Sequence, residues 1–149
     1  MINYILDTNI IIHLADHCSA FHECIVGKLA TFPSEVEIGV SVLSLYEINY
    51  GKSLIKSYES QFSKVEQTIQ EVFQIIPLPV KGAEIFGNLK ATYAKLTGIQ
   101  SSALKRHNID LMLATTAIAN NAILVSNDQI FKYLQHIYPD FLWEDWATK

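Results

Sequence analysis

Several things are scarce in this chain, and each scarcity excludes something. It has two cysteines, Cys18 and Cys24. That is too few for a disulfide framework, and their spacing matches no common zinc pattern, so reduced packing thiols are expected. Long hydrophobic runs are missing as well. His13 interrupts one apolar stretch, Asn120 and Asn121 close another, and none approaches the roughly 20 residues of a membrane span. The opening "MINYILDTN" has neither a basic n-region nor a small-residue cleavage site, so no signal peptide is expected. Cytoplasmic work without a membrane partner follows as an expectation. There are no repeats, no low-complexity tract and no Gly/Ser-rich linker, so a single domain over residues 1–149 is expected.

Positive charge is also in short supply. The 11 Lys and Arg residues against 15 Asp and Glu leave a formal net charge of −4. A basic surface alone therefore cannot be the means of holding nucleic acid. That exclusion weakens if four carboxylates are satisfied by two divalent cations, because the −4 is then offset. Signature motifs of other chemistries are absent: no H-E-x-x-H, no G-x-S-x-G elbow, no Walker loop and no G-x-G-x-x-G. His13 and His17 stand at i, i+4, a chelating spacing, but solvated or partly packed rings are the preferred reading. An aspartyl phosphotransfer enzyme would want a second Asp two residues after a strand-end Asp, and Asn9 holds that place.

What is present is a core. Half of the residues are hydrophobic and 17% are charged, which excludes a disordered chain. Short apolar strands alternate with amphipathic helices. "INYILD", "VEIGVSV", "QIIPLPV" and "AILVS" read as strands, with "FLWEDW" as a final edge strand. Helices are expected over "FHECIVGKLATF", "LSLYEINYGKSLIKS", "ESQFSKVEQTIQEVF", "IDLMLATTAIANN" and "QIFKYLQHIY". A further helix, "KGAEIFGNLKATYAKLTG", should end at Gly98. "IQSSALKRHN" reads as a polar loop. Strands that are apolar throughout, separated by helices, imply a parallel sheet covered on both faces. Such sheets bind ligands at the carboxyl ends of their strands.

Four carboxylates stand out against this pattern. Asp7 ends the first strand and Asp128 follows the fourth. Each could simply cap the next helix, yet two acids on one rim of a parallel sheet would converge. Glu47 sits among Leu43, Leu45, Tyr46, Ile48 and Tyr50, where a charge costs desolvation unless it reaches water or a cation. Gly51, one turn further on, implies a close approach. Asp110 opens a helix and complements its dipole, but Ala114 and Ala117 follow on one face, which lets that helix pack close to its neighbours. Four oxygen donors on two strand ends and two helices suit a hard cation such as Mg²⁺. Thr8, Asn9, Ser126 and Asn127 would supply the neutral partners.

In their order these motifs resemble the PIN-domain ribonucleases, and among them the VapC-like toxins of type II toxin–antitoxin pairs. "LDTN" is similar to the opening motif. "YEINYG" is similar to E-x-x-x-G, "IDLMLATTA" to D-x-x-x-A-x-x-A, and "LVSNDQIF" to T-x-[DN]-x-x-F. The chain departs from the pattern twice: Ser126 replaces the usual Thr, and Ile130 stands where many members carry a further Asp. The resemblance implies a three-layer α/β/α sandwich around a parallel sheet of about five strands. It implies a Mg²⁺- or Mn²⁺-dependent endoribonuclease with one or two ions, whose metal-binding and catalytic residues are Asp7, Glu47, Asp110 and Asp128. Thr8, Asn9 and Ser126 would orient ligands or phosphate. Lys52, Lys56, Lys105 and Arg106, with His107 beside them, are the candidate RNA contacts. The implied partners are an RNA substrate and a cognate antitoxin seated in an apolar groove. The apolar helices over residues 43–73 are compatible with a homodimer. The alternative is a catalytically silent PIN-like module that binds RNA or protein, whose mark would be a lost acid. None is lost.

Overall fold

The run "INYIL" is apolar on both sides of its pleat, and that is what the centre of a two-sided sheet requires. In the computed structural model, which describes residues 1–54, 56 and 59–148, it forms β1 (Ile2–Leu6) at the middle of a five-stranded sheet. The others are β2 (Glu37–Ser41), β3 (Gln74–Ile76), β4 (Ile123–Val125) and β5 (Leu142–Glu144). Their order is β3-β2-β1-β4-β5, and every neighbouring pair is parallel. The expected edge strand in "FLWEDW" is thus β5, at the margin of the sheet.

Helices make every crossover. α1 (Thr8–Ala15) and α2 (His22–Ala30) join β1 to β2, and α3 (Val42–Leu54) and α4 (Glu59–Val72) join β2 to β3. α5 (Gly82–Thr97), α6 (Ser101–Leu104) and α7 (Asn108–Ala119) lead to β4, and α8 (Ile130–Ile137) leads to β5. The helix expected after β2 runs into residues 55 and 57, and that end of it lies outside the described residues. The chain lays down β1, β2 and β3 in one direction, then returns across β1 to place β4 and β5. Strand order therefore reverses between β1 and β4, and at such a point the carboxyl ends of neighbouring strands open a crevice.

Alternation along the strands builds two cores. Ile5 and Leu124 face a cluster with Leu89, Leu111, Leu113, Phe131 and Phe141, beneath α5, α7 and α8. Leu6 and Val125 face the other way, onto Ile10, Ile11, Ile25, Val65 and Ile69 of α1, α2 and α4. Three layers result, α/β/α, as expected. Ala114 and Ala117 are fully buried, so the small face of α7 does lie against its neighbours. The close approach expected at Gly51 is also present: a Cβ there would stand 2.7 Å from the Phe62 ring of α4. Gly98 ends α5 with φ 65°, and its N–H donates to the Ala94 carbonyl at 3.0 Å.

One expectation fails. "IQSSALKRHN" is not a loop but the helix α6 followed by a 3-10 turn, Lys105–His107. Gln100 is extended and its carbonyl accepts from Leu104 N at 2.8 Å, which starts the turn. Leu104 and Ile99 then pack against the first core. Four residues are too few to show a periodicity. Both cysteines are free thiols; Cys24 packs against the second core as expected, but Cys18 is exposed and does not pack. His13 bonds Ser19 Oγ through Nδ1 at 2.7 Å while His17 stacks on His22, so the two rings are engaged separately. No described helix is long and apolar enough to cross a membrane.

Candidate active site

Asp7 is the first residue past β1, and its N–H still extends the sheet by donating to the Val125 carbonyl at 2.9 Å. The acid therefore sits at the strand-order reversal. It is also the N-cap of α1, as the local reading of the residue expects. Oδ1 accepts from Thr8 N at 2.7 Å and Oδ2 accepts from Ser126 Oγ at 2.8 Å. With 7% of its surface exposed it is the most enclosed of the four acids. Burial pushes its pKa up to about 6. The Ser126 and Thr8 hydrogen bonds pull it down, and the charges of Glu47 and Asp110 push it up again.

Ser126, fully buried just past β4, ties two acids together. Its hydroxyl donates to Asp7 and accepts from Asp128 N at 3.1 Å. Its own N–H donates to the Glu144 carbonyl of β5, and its carbonyl accepts from Trp143 Nε1 at 2.9 Å. Asp128 is exposed in the turn before α8, where Oδ1 accepts from Ile130 N at 3.2 Å. Glu47 is exposed on α3, and its Oε1 accepts from Thr8 Oγ1 at 2.8 Å. Asp110, half-buried in the first turn of α7, has His107 Nδ1 3.7 Å from Oδ2. Burial raises its pKa first, and the neighbouring Asp128 raises it further; His107 opposes both, and Glu47 adds to the rise.

The acids perturb one another in pairs: Asp7 feels Glu47 and Asp110, and Asp110 feels Asp128 and Glu47. Four elements supply the four carboxylates, with Asp110 the common neighbour of the other three. Among the described residues, no three His, Cys, Asp or Glu side chains close on a single point as they stand. Each exposed or enclosed acid is engaged in its own hydrogen bond: Glu47 with Thr8, Asp128 with Ile130 N, and Asp7 with Ser126. The donor set is nonetheless all oxygen, and Glu47 and Asp128 are exposed enough to turn. Among the described residues, the buried amide oxygen Asn9 Oδ1, two residues from Asp7, has no hydrogen-bond partner. Carboxylates and an unused carbonyl oxygen fit Mg²⁺ or Mn²⁺ and suit softer ions poorly.

The other expected residues divide. Thr8 and Ser126 touch the acids directly. Asn9 instead donates through Nδ2 to Asn127 Oδ1, bracing the β4–α8 turn. Lys56, Lys105 and Arg106 are exposed, the last two on the turn that leads into α7. Lys52 pairs with Glu66 of α4, its ammonium 3.6 Å from that carboxylate. Ser44, a partner of Thr8, and Trp143, a partner of Ser126, carried no signal in the sequence.

A family model, PIN domain, matches residues 4–137. The chain belongs to the PIN-domain family. It is 30% identical over 144 residues to Ribonuclease VapC2 of Rickettsia felis, covering 96% of this chain and 97% of that one. Among solved structures it is similar to VapBC2 from Rickettsia felis bound to a DNA fragment from their promoter, with TM-score 0.73, 28% identity, and 97% and 98% of the two chains covered. VapBC-1 from nontypeable Haemophilus influenzae shares the fold, with TM-score 0.73 at 24% identity over 99% and 100% of the chains. The matched PIN domain spans all four acids and Ser126, while β5, which holds Ser126 by two bonds, follows it. Both departures from the PIN pattern are accommodated. Ser126 keeps the hydroxyl bond to Asp7, and Ile130 packs against the first core, where an Asp would place a charge on apolar surface.

Proposed function

We propose that this PIN domain is a Mg²⁺- or Mn²⁺-dependent endoribonuclease and the toxin of a toxin–antitoxin pair. One observation carries the reading: at the strand-order reversal the charges of Glu47 and Asp110 push the buried Asp7 up, and those of Asp128 and Glu47 push Asp110 up, so carboxylates from four separate elements are neighbours. Local capping accounts for single acids but not for bringing them together, since like charges repel and burial penalises them. Its similarity to Ribonuclease VapC2 supports RNA as the substrate.

Asp7, Glu47, Asp110 and Asp128 would hold the ion or ions. The chemistry such an ion supplies when bound is positive charge at a phosphate and a lowered pKa for water. The rest is done by the chain. Ser126 and Thr8 fix Asp7 by both oxygens, so it does not turn when substrate arrives. Glu47 and Asp128, exposed at the rim, face the solvent from which the attacking water comes and can accept its proton. Lys105 and Arg106 stand before Asp110 and steer the RNA backbone. In-line attack of water on the phosphorus, with departure of the 3′ oxygen, leaves a 3′-hydroxyl and a 5′-phosphate.

The apolar groove between α1 and α4, about 440 Å³, is the seat we assign to the antitoxin segment; Ile12, Ala15, Phe62 and Val65 line it. The similar Rickettsia felis structure is a VapBC2 assembly, which supports this pairing. A homodimer is assigned to the stripe of Tyr46, Tyr50 and Leu54 on α3, which are 72%, 66% and 60% exposed. We place all of this in the cytoplasm. The deciding experiment is RNA cleavage with Mg²⁺ or Mn²⁺, with EDTA, and by Asp7→Asn. Activity should need the metal and vanish in the variant. Metal-independent cleavage, or full activity in Asp7→Asn, would overturn the mechanism.

A further inference from the structure

We infer that Ser44 is a positioning residue of the acid site, acting through Thr8 on Glu47; the inference rests on the metal-dependent reading above. Ser44 lies three residues before Glu47 on α3, on the same side of the helix. It is fully buried, and a buried hydroxyl needs a partner. Among the described residues its partner is the Thr8 hydroxyl, 2.9 Å away. The same Thr8 oxygen is 2.8 Å from Glu47 Oε1.

Proton counting gives this chain a direction. Thr8 Oγ1 carries one proton and has two neighbours. An ionised carboxylate can only accept, so that proton goes to Glu47. Thr8 then presents a lone pair to Ser44, whose own proton fills it. Each hydroxyl proton is used once, and the order runs from Ser44 to Thr8 to Glu47. Glu47 is otherwise an exposed side chain. The relay anchors one of its oxygens, Oε1. Without the Ser44 hydroxyl, Thr8 can rotate and turn its proton away from Glu47. The carboxylate then loses its orientation and keeps its charge.

The test is Mn²⁺ affinity, read from free Mn²⁺ by electron paramagnetic resonance. Wild type, Ser44→Ala, Ser44→Thr, Glu47→Gln and the double variant Ser44→Ala with Glu47→Gln would be compared. Groups behind metal ligands typically cost 10–100-fold in affinity when removed, so Ser44→Ala should bind Mn²⁺ about tenfold more weakly. Ser44→Thr, which keeps the hydroxyl, should stay near wild type. In the Glu47→Gln background Ser44→Ala should have no further effect, because its route runs through that carboxylate. Thr8→Val, at a half-exposed position, gives a second variant with the same expected loss and the same dependence on Glu47. Melting of each metal-free variant checks folding. Unchanged affinity in Ser44→Ala, or a loss that adds fully to that of Glu47→Gln, overturns the role of Ser44 alone. Absence of Mn²⁺ binding by wild type overturns the metal reading and this inference with it.

Discussion

Replacing Asp7 by Asn should make the metal-free protein more stable while abolishing its activity. In the unfolded chain the carboxyl titrates near 3.8, and in the fold burial moves it to about 6. That difference of about 2 units, at about 1.4 kcal/mol each, is a cost of about 3 kcal/mol that the ionised group imposes on the folded state. The sign follows from proton binding. Between these two pKa values the folded state holds the proton more tightly, so the stability linked to Asp7 is complete below pH 3.8 and lost as pH rises past 6. Taking wild type from pH 7 to pH 5 should therefore recover roughly 1 kcal/mol from this group.

Asn carries no charge and escapes that cost. It gives up one acceptor oxygen, however, where Asp7 now takes bonds from both Thr8 N and Ser126 Oγ. One weakened hydrogen bond costs about 1 kcal/mol. The net gain is about 2 kcal/mol at pH 8, or roughly 6 °C in Tm for a chain of this size. Differential scanning calorimetry with EDTA at pH 8 and pH 5 measures both parts. The Asn variant should melt higher at pH 8, and its advantage should shrink at pH 5. A variant that melts at or below wild type at pH 8 would refute the claim that Asp7 is a charge held at a cost to stability.

Three other outcomes are expected. Gly98→Ala places a Cβ at φ 65° with no atom nearby, so its cost is conformational; it should be about 1 kcal/mol by urea denaturation, with nuclease activity unchanged. Ala117→Leu forces extra volume into the fully buried face of α7 and should destabilise by about 1–3 kcal/mol in the same assay. The double variant Lys105→Ala with Arg106→Ala should raise KM for RNA with little change in kcat. It should also flatten the dependence of KM on salt, as the loss of phosphate contacts requires; an unchanged salt slope would remove both residues from the RNA path.

Much of this arrangement was legible in the sequence. In a parallel sheet covered on both faces, strands are apolar throughout, so a carboxylate marks a strand's end, and Asp7 is that mark. Small residues at 51, 114 and 117 announced helix contacts because close packing needs missing side-chain volume. The failures have a common physical cause. α6 was read as loop because a four-residue helix shows no period and depends on Leu104 reaching the core. The pairing of Lys52 with Glu66 carried no signal either, because Glu66 reaches it from a different helix. Ser44 and Trp143 act on residues 36 and 17 positions away in the chain. No local pattern encodes such pairs; they exist only once β1 has paired with β2 and β4 with β5.

The burial of the four acids divides their work. Asp7 is enclosed and held at both oxygens, and Asp110 is half-buried in the first turn of α7. Glu47 and Asp128 are exposed, each held in the structure through a single oxygen. On the proposed metal-dependent reading, the enclosed Asp7 with the half-buried Asp110 would set where a cation is drawn, because it is there that neutralising charge returns the most stability. The exposed Glu47 and Asp128 would then close on it at little conformational cost. The same asymmetry explains why the positioning hydroxyls act where they do: Ser126 steadies an acid that must not move, and Thr8, backed by Ser44, restrains one that otherwise would.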